Sequence, residues 1–428
     1  MPRVLLLATT TGYQTRAFGE AAERLGVTLV FATDRCHRLD DPWRDGAVAI
    51  RFHEEEASVE AIVESAAVLP IDGILTVGDR PTVIAARAAE RLGLAGHSSA
   101  SAAIALDKER TRERLEAAGL SVPWFIPSRI DADPAGLAAR VSFPCVVKPV
   151  ALSGSRGVMR ADDAPGFVVA FERLRALLTR SDIRSERNEA HDRVLIEGFI
   201  PGGEFALEGL LHRGALHVLA LFDKPDPLDG PFFEETIYLT PSALAPAEGA
   251  RVVDAVAAAA TAIGLSHGPI HAECRVNERG VFVLEVAARP IGGLCARALR
   301  FSEKGVGSLF SLEALLLRHA LGESPWAWVR EDAASGVMMI PIPARGVYRG
   351  VAGVDDARRI PGIDDVVVSA KPEQVLVPLP EGASYLGFIF AHGATSQAVE
   401  RALRRAHARL RFSIEPQLRV LQSPHGAV

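Results

Sequence analysis

The chain has 428 residues, with 47 Lys and Arg against 53 Asp and Glu, and a formal charge of -6. That length suits two or three domains. The acidic balance, without any Lys/Arg block, excludes a generic nucleic-acid binder and leaves room only for a local pocket for small anions.

Residues 1 to about 100 alternate strand-like and helix-like patterns: Val4 to Ala8, Arg16 to Leu25 closed by Gly26, Val27 to Phe31, Ala47 to Phe52, Val59 to Leu69, Gly73 to Val77 and Val83 to Leu92. This rhythm predicts a parallel α/β sheet with ligands approaching the carboxyl ends of its strands. The loops Thr9 to Tyr13 and Gly78-Asp79-Arg80 lie at such ends. Neither is a GxGxxG fingerprint, so a dinucleotide site has no support.

Asp107 to Ala118 predicts a helix capped by Asp107 and stopped by Gly119. Lys108 in its first turn is opposed by the helix dipole, so it either snorkels into solvent or meets an anion. Phe143 to Pro149 is a short strand-type run ending near Lys148, and Ala151 to Val158 follows as a small-residue loop containing Gly154 and Ser155. Glycine admits backbone N–H groups to a phosphate and the ammonium neutralises its charge; the alternative is a plain glycine-rich turn. The lysine precedes the loop, so this is not a Walker A sequence.

Thr179 to Arg193 is charged and nearly without apolar residues, which predicts a mobile surface segment with its charges in water. Val194 to Glu208 reads as two strands split by Pro201-Gly202-Gly203, with Glu197 and Glu204 in apolar surroundings where buried acids need partners. Phe222 to Glu235 crowds prolines, phenylalanines and charges into one loop. Ala247 to Ile263 predicts a helix ending at Gly264.

Ile270 to Gly293 reads as a hairpin. His271, Glu273 and Arg275 share one face of its first strand; after a turn over Asn277 to Gly280, Glu285, Ala287 and Arg289 can share a face of the second. Glu273 and Glu285 are either exposed hairpin acids or a pair that needs a cation, and hard oxygen ligands suit Mg²⁺. The helix near Thr395 to Leu410 places Val399, Leu403, Ala406 and Leu410 on one stripe, with Arg401, Arg404, Arg405 and Arg409 read as a solvated face. Cys36, Cys145, Cys274 and Cys295 lack paired spacing, so they support neither a zinc site nor a disulfide framework. With no apolar run of about 18 residues and no signal-peptide core, a soluble cytoplasmic protein is expected.

Taken in order, Lys108, Lys148 with its small-residue loop, Glu197-Gly198-Phe199-Ile200, Glu204 and the Glu273/Glu285 pair resemble the ATP-grasp superfamily. The resemblance implies an ATP-grasp fold of α/β and α+β class. An N-terminal Rossmann-like pre-ATP-grasp domain would cover residues 1–100, a two-subdomain ATP-grasp module 101–320, and a small α+β C-terminal domain 321–428. Lys108 and Lys148 would bind ATP phosphates under the Gly154/Ser155 loop, Glu197 to Ile200 would line the adenine, and Glu204 would hold the ribose. Glu273 and Glu285 would ligate Mg²⁺, with Mn²⁺ as a substitute, and Arg289 would stabilise charge on the reacting carboxylate or acyl phosphate. Many members carry Glu-x-Asn-x-Arg where this chain has Glu285-Val286-Ala287-Ala288-Arg289, so a second metal loses a ligand at Ala287.

That variant, the Arg289 to Gly293 continuation, the segment Asp223 to Thr236 and the stretch from Gly346 to Phe388 are similar to bacterial L-amino acid ligases and carnosine-synthase-like enzymes. The implied activity is ATP-dependent ligation of a small-molecule carboxylate to an amine through an acyl phosphate, releasing ADP and phosphate. His271, Gly292 and Gly293 would lie by the substrate, His271 alternatively as a structural support, and Glu235 would reach the amine or nucleotide. The rivals are a purine-pathway or biotin-carboxylase-like ATP-grasp enzyme using formate, bicarbonate or a ribosylamine, and a non-catalytic nucleotide-binding module. No nucleic-acid or membrane partner is implied, and a homodimer is compatible.

Overall fold

The computed structural model describes residues 1–9, 13–34 and 47–416. Thr10 to Gly12 of the first loop, and Cys36, lie outside the described residues. Four strands, β1 (Arg3–Ala8), β2 (Thr28–Asp34), β3 (Val48–Ile50) and β4 (Gly73–Val77), form a parallel sheet in the order β3-β2-β1-β4. The unbroken apolar run of β1 is what a strand covered on both faces requires. Val4, Leu6 and Ala8 join one core with Phe18 and Leu315; Leu5 and Leu7 join another with Ile62 and Ile84.

Next come β5 (Phe125–Arg129), β6 (Cys145–Pro149), β7 (Met159–Ala161) and β8 (Arg193–Gly198), an antiparallel sheet in the order β5-β8-β6-β7. The helix Ala164–Leu178 covers it with Phe167, Phe171 and Leu174. The charged segment before β8 differs from expectation, because it is folded: Ser181–Arg184 is helical and Glu189–Asp192 a 3₁₀ turn. Ile183 and His191 are buried, His191 Nε2 lies 3.0 Å from a Glu186 carboxylate oxygen, and Arg156 bonds Asp182 at 3.0 Å. One buried isoleucine and paired charges replace the apolar content whose scarcity suggests disorder.

The strands β9 (Gly203–His212), β10 (Ala215–Lys224), β11 (Ile237–Thr240), β12 (Gly268–Asn277) and β13 (Gly280–Ala287) begin the largest sheet. A small sheet of β14 (Arg300–Glu303), β15 (Phe310–Ser311) and β16 (Trp328–Arg330) then flanks the helix Leu312–Ala320, which packs on the N-terminal sheet through Leu312, Leu315 and Leu316. The remainder contributes β17 (Ala334–Ile340), β18 (Gly346–Ala352), β19 (Ile363–Val368), β20 (Val375–Leu376), β21 (Gly387–Gly393) and β22 (Arg411–Glu415).

Eight strands pair in the order β13-β12-β9-β10-β11-β17-β21-β19. The β11–β17 pairing, from Ile237 opposite Met338 to Thr240 opposite Ser335, makes one sheet of the segments on either side of residue 320. The helix Ser396–His407 covers β17 and β21 with Val399, Leu403 and Ala406. The arginines Arg401, Arg404, Arg405 and Arg409 are exposed, and Arg404 also bonds Asp226 at 2.7 Å, tying the proline-rich loop to this helix. Among the described residues, no helix is long and apolar enough to cross a membrane.

Candidate active site

A cavity of about 910 Å³ opens where the sheets meet, and every residue singled out above for nucleotide, metal or substrate lines it. Gly78 and Asp79 come from the carboxyl end of β4, Lys371, Tyr385 and Phe388 from the C-terminal segment.

One wall is cationic. Asp107 caps the helix Lys108–Ala117 by accepting the Arg110 N–H at 3.1 Å, which fixes Lys108 at the first turn. Lys108 Nζ donates to the Leu152 carbonyl at 2.8 Å and lies 3.3 Å from Glu285 Oε2, so it faces the cavity and not solvent. Lys148 on β6 is buried and donates to Glu197. The other Glu197 oxygen accepts from Arg112 Nε at 2.9 Å. Although burial favours the neutral acid, Arg112 and Lys148 hold Glu197 down at about 2. Burial, aided by Arg112 and Lys108, pushes Lys148 down to about 8 against the pull of Glu197.

The side chain of Glu197 is therefore committed to a buried triad. The Gly198 and Phe199 N–H groups donate to the carbonyls of Trp124 at 2.9 Å and Pro144 at 3.1 Å, and the Ile200 carbonyl accepts from Arg275 at 2.7 Å. What these residues present to the cavity is largely an apolar and aromatic surface, in which Phe199 stacks on Phe233 with centroids 6.4 Å apart. Gly154 and Ser155 both adopt left-handed backbone, φ 62° and 55°, the tight geometry that lets a loop curl over a ligand. The C-terminal segment grips this loop: the Gly157 N–H donates to Pro380 at 2.8 Å and Arg156 to Glu381 at 2.9 Å.

The facing wall is acidic. Glu273 and Glu285 are direct cross-strand partners, and the register slips just beyond them, where Cys274 pairs with Val283 and Leu284 bulges. Lys224 stands among carboxylates, 2.9 Å from Glu204 and 3.2 Å from Glu273, and bonds Glu235 as well. Arg275 takes the second Glu204 oxygen at 2.9 Å. Both oxygens of Glu204 are thus engaged by buried cations, and the ribose role inferred for it requires these bonds to be shared. Burial, and then repulsion by Glu273, push Glu235 up to about 7; Lys224 and His271 overcome burial to keep Glu273 well below the usual carboxylate range.

His271 Nδ1 lies 3.1 Å from Glu208 Oε2. Burial favours its neutral ring, yet Glu208 and Glu273 raise it to about 9. The Glu208 oxygens also accept the Ile291 N–H, each at 3.1 Å, which orients the loop carrying Gly292 and Gly293. Gln14 donates to the Gly293 carbonyl at 2.6 Å, and a Cβ on Gly293, φ 62°, would sit 3.3 Å from the Phe388 ring. Arg289 clasps Asp79 through Nε at 2.6 Å and Nη2 at 3.1 Å, a bidentate pair that fixes the guanidinium plane.

Arg112, Lys224 and Glu208 escaped the sequence reading of the site, and Asp79 appears there only as part of a strand-end loop, without its partner Arg289. Two had a usable signal: Lys224 pairs with Glu204 across β9–β10, and Glu208 shares the face of Glu204 by alternation. Arg112 and Asp79 meet partners 85 and 210 residues away, which no local pattern reveals.

The donors fit a divalent cation. Glu273 and Glu285 offer hard oxygens, their side chains are 27% and 25% exposed, and each lies near a lysine ammonium that a cation could replace. Ala287, opposite His271, offers no donor.

The ATP-grasp domain family matches residues 141–298, an ATP-grasp N-terminal domain residues 19–96 and an L-amino acid ligase C-terminal domain residues 338–415. An L-amino acid ligase from Bacillus licheniformis has a similar crystal structure, with a TM-score of 0.80, 27% identity, and coverage of 97% of this chain and 99% of that one. Alanine–anticapsin ligase of Bacillus subtilis is 27% identical over 253 residues, 56% of this chain and 52% of that protein. Carnosine synthase 1 of Homo sapiens is 28% identical over 294 residues, 65% of this chain and 35% of that protein. The chain thus spans about half or less of the length of these two curated relatives. With a cationic and an acidic wall closing on one cavity, and family matches along all three regions, the chain belongs to the ATP-grasp superfamily, in its ligase branch.

Proposed function

We propose that this protein joins the carboxylate of one amino-acid-like substrate to the amine of another. The carboxylate oxygen attacks the γ-phosphorus of ATP, the bond to ADP breaks, and an acyl phosphate forms. The amine then attacks the acyl carbon, phosphate leaves, and the amine proton is released as the amide forms. The observation that carries this reading is the facing of Lys108 and Lys148 toward the cross-strand pair Glu273 and Glu285 in one cavity roofed by an L-amino acid ligase-type C-terminal segment.

Lys108 and Lys148 hold phosphate oxygens, with the Gly154/Ser155 loop closing over them. Phe199 and Ile200 pack on the adenine, and Glu204 shares its oxygens with the ribose. Glu273 and Glu285 hold Mg²⁺, with Mn²⁺ as a substitute, which supplies charge neutralisation at the terminal phosphates when bound. Arg289, fixed in orientation by Asp79, stabilises negative charge on the acyl group. Gly292 and Gly293 keep the loop thin beside the substrate, and His271, protonated between Glu208 and Glu273, supports the acidic wall. Glu235, with a value near 7, is suited to meet the incoming amine.

Mass spectrometry after incubation with ATP, Mg²⁺ and pooled amino acids is expected to show a dipeptide, with matching phosphate release that Glu285→Ala abolishes. Phosphate release with formate, bicarbonate or a ribosylamine, and with no amino-acid pair, would replace this reading by a purine-pathway or biotin-carboxylase-like one. Tight Mg-ATP binding with no release under any pairing would leave a nucleotide-binding module.

A further inference from the structure

Away from the ATP cavity, three histidines converge from three elements. His212 ends β9, His267 immediately precedes β12, and His319 lies on the helix Leu312–Ala320. One ring nitrogen from each lies within 4.8 Å of the others, and none of the three lines the ATP cavity. We propose that His212, His267 and His319 bind a divalent first-row transition metal of the zinc type.

The spacing supports it. His212 Nδ1 and His319 Nε2 are 3.2 Å apart, a hydrogen bond in the metal-free protein and close to the edge of about 3.3 Å between two nitrogens bound at about 2.05 Å in a tetrahedral zinc site; the His267 ring stacks on His319, centroids 4.5 Å apart and planes 18° apart, so it turns to bring its nitrogen to the ion. Two nearby histidines show what an ordinary structural ring does here. His97 Nε2 lies 3.1 Å from the Pro269 carbonyl and His97 Nδ1 accepts the Ser266 N–H at 3.3 Å, while His217 Nε2 lies 3.1 Å from the Trp328 carbonyl. By contrast, the buried Nε2 of His267 has no hydrogen-bond partner among the described residues. An all-imidazole set favours zinc, copper or nickel over Mg²⁺.

Such a metal would pin the helix that packs on the N-terminal sheet to the ends of β9 and β12, the strands that carry Glu204, Glu208, His271 and Glu273 to the cavity. The full chain, stripped with EDTA, is titrated with Zn²⁺ in millimolar Mg²⁺ and its metal content measured after gel filtration; Co²⁺ is titrated in parallel and read by visible absorption. About one Zn²⁺ per chain is expected, with a tetrahedral Co²⁺ spectrum and a rise in Tm. His267→Ala is expected to weaken binding by at least about tenfold and remove the Tm rise, while Mg-ATP-dependent phosphate release stays at the wild-type level. If that variant misfolds, His212→Gln, at a partly exposed strand end, carries the comparison. Zinc retention equal in wild type and variant, retention below half an equivalent in wild type, or zinc displaced by Mg-ATP would each overturn the proposal.

Discussion

On the wall built from β6, β8 and the Lys108–Ala117 helix, two cations, Arg112 and Lys148, close on one carboxylate, Glu197. On the hairpin wall, three carboxylates, Glu204, Glu235 and Glu273, surround Lys224, with Arg275 behind Glu204. Counting formal charges, the first cluster is two minus one, or +1, and the second is two minus three, or −1. Each wall neutralises most of its charge internally; the first leaves one positive unit toward the cavity, and the second leaves one negative unit once Glu235, at about 7, is ionised. The surplus cation suits phosphate oxygens and the surplus anion suits a metal, which is the division of labour phosphoryl transfer needs. Burial makes both clusters costly to disturb, since an ion that loses its partner in the interior keeps its desolvation penalty.

The most severe test of this contrast is Glu197→Ala. It strands two buried cations, and a loss of about 3–5 kcal/mol in unfolding free energy is expected from urea titration. A loss under about 1 kcal/mol would show that the triad does not hold the cationic wall together. Glu285→Ala probes the opposite wall, where the acid is partly exposed: phosphate release should fall by at least about a hundredfold, equivalent to about 3 kcal/mol, while stability changes by less than about 1 kcal/mol. Asp79→Asn removes the charge that orients Arg289, and a drop of about tenfold to a hundredfold in kcat/KM is expected. Because Arg289 is buried, stability should fall as well, and an unchanged kcat/KM would separate Arg289 from the chemistry.

The subtlest effect is in the pH dependence, where the walls should respond with opposite sign. Glu197 is held at about 2, below its ordinary 4.5, so its contribution is present above pH 4.5 and is lost as pH falls toward 2. Glu235 is raised from 4.5 to about 7, so the folded state binds the extra proton between these values. Its contribution is full below pH 4.5 and is lost as pH rises through 7. Unfolding free energies measured across pH should therefore lose their acid-side slope in Glu197→Gln and flatten between pH 4.5 and 7 in Glu235→Gln. Slopes of the same sign in both variants would contradict the contrast.

The order of elements was readable because it is written locally. Alternating strand and helix patterns in the first hundred residues, the Asp107 cap, the Gly264 stop and the hairpin turn each depend on a few neighbouring residues, and each appears where expected. The face shared by His271, Glu273 and Arg275 follows from the two-residue period of a strand, and all three border the cavity. The segment before β8 was misjudged for a related reason: composition reports missing apolar residues, and says nothing of Arg156 meeting Asp182 or His191 meeting Glu186.

The sequence by itself determined the strand and helix order, the position of each acidic and basic group along the chain, and, by resemblance, the superfamily. Only the tertiary structure decided which charges meet. Glu197 turns from the cavity to Arg112 and Lys148, Lys224 stands between the acids of the hairpin wall, Arg289 is clasped by Asp79 from the N-terminal sheet, and one sheet runs across residue 320. The physical reason is that period and capping act over a few residues, whereas a buried charge is settled by whichever partner the packing brings within about 3 Å, however distant in the chain.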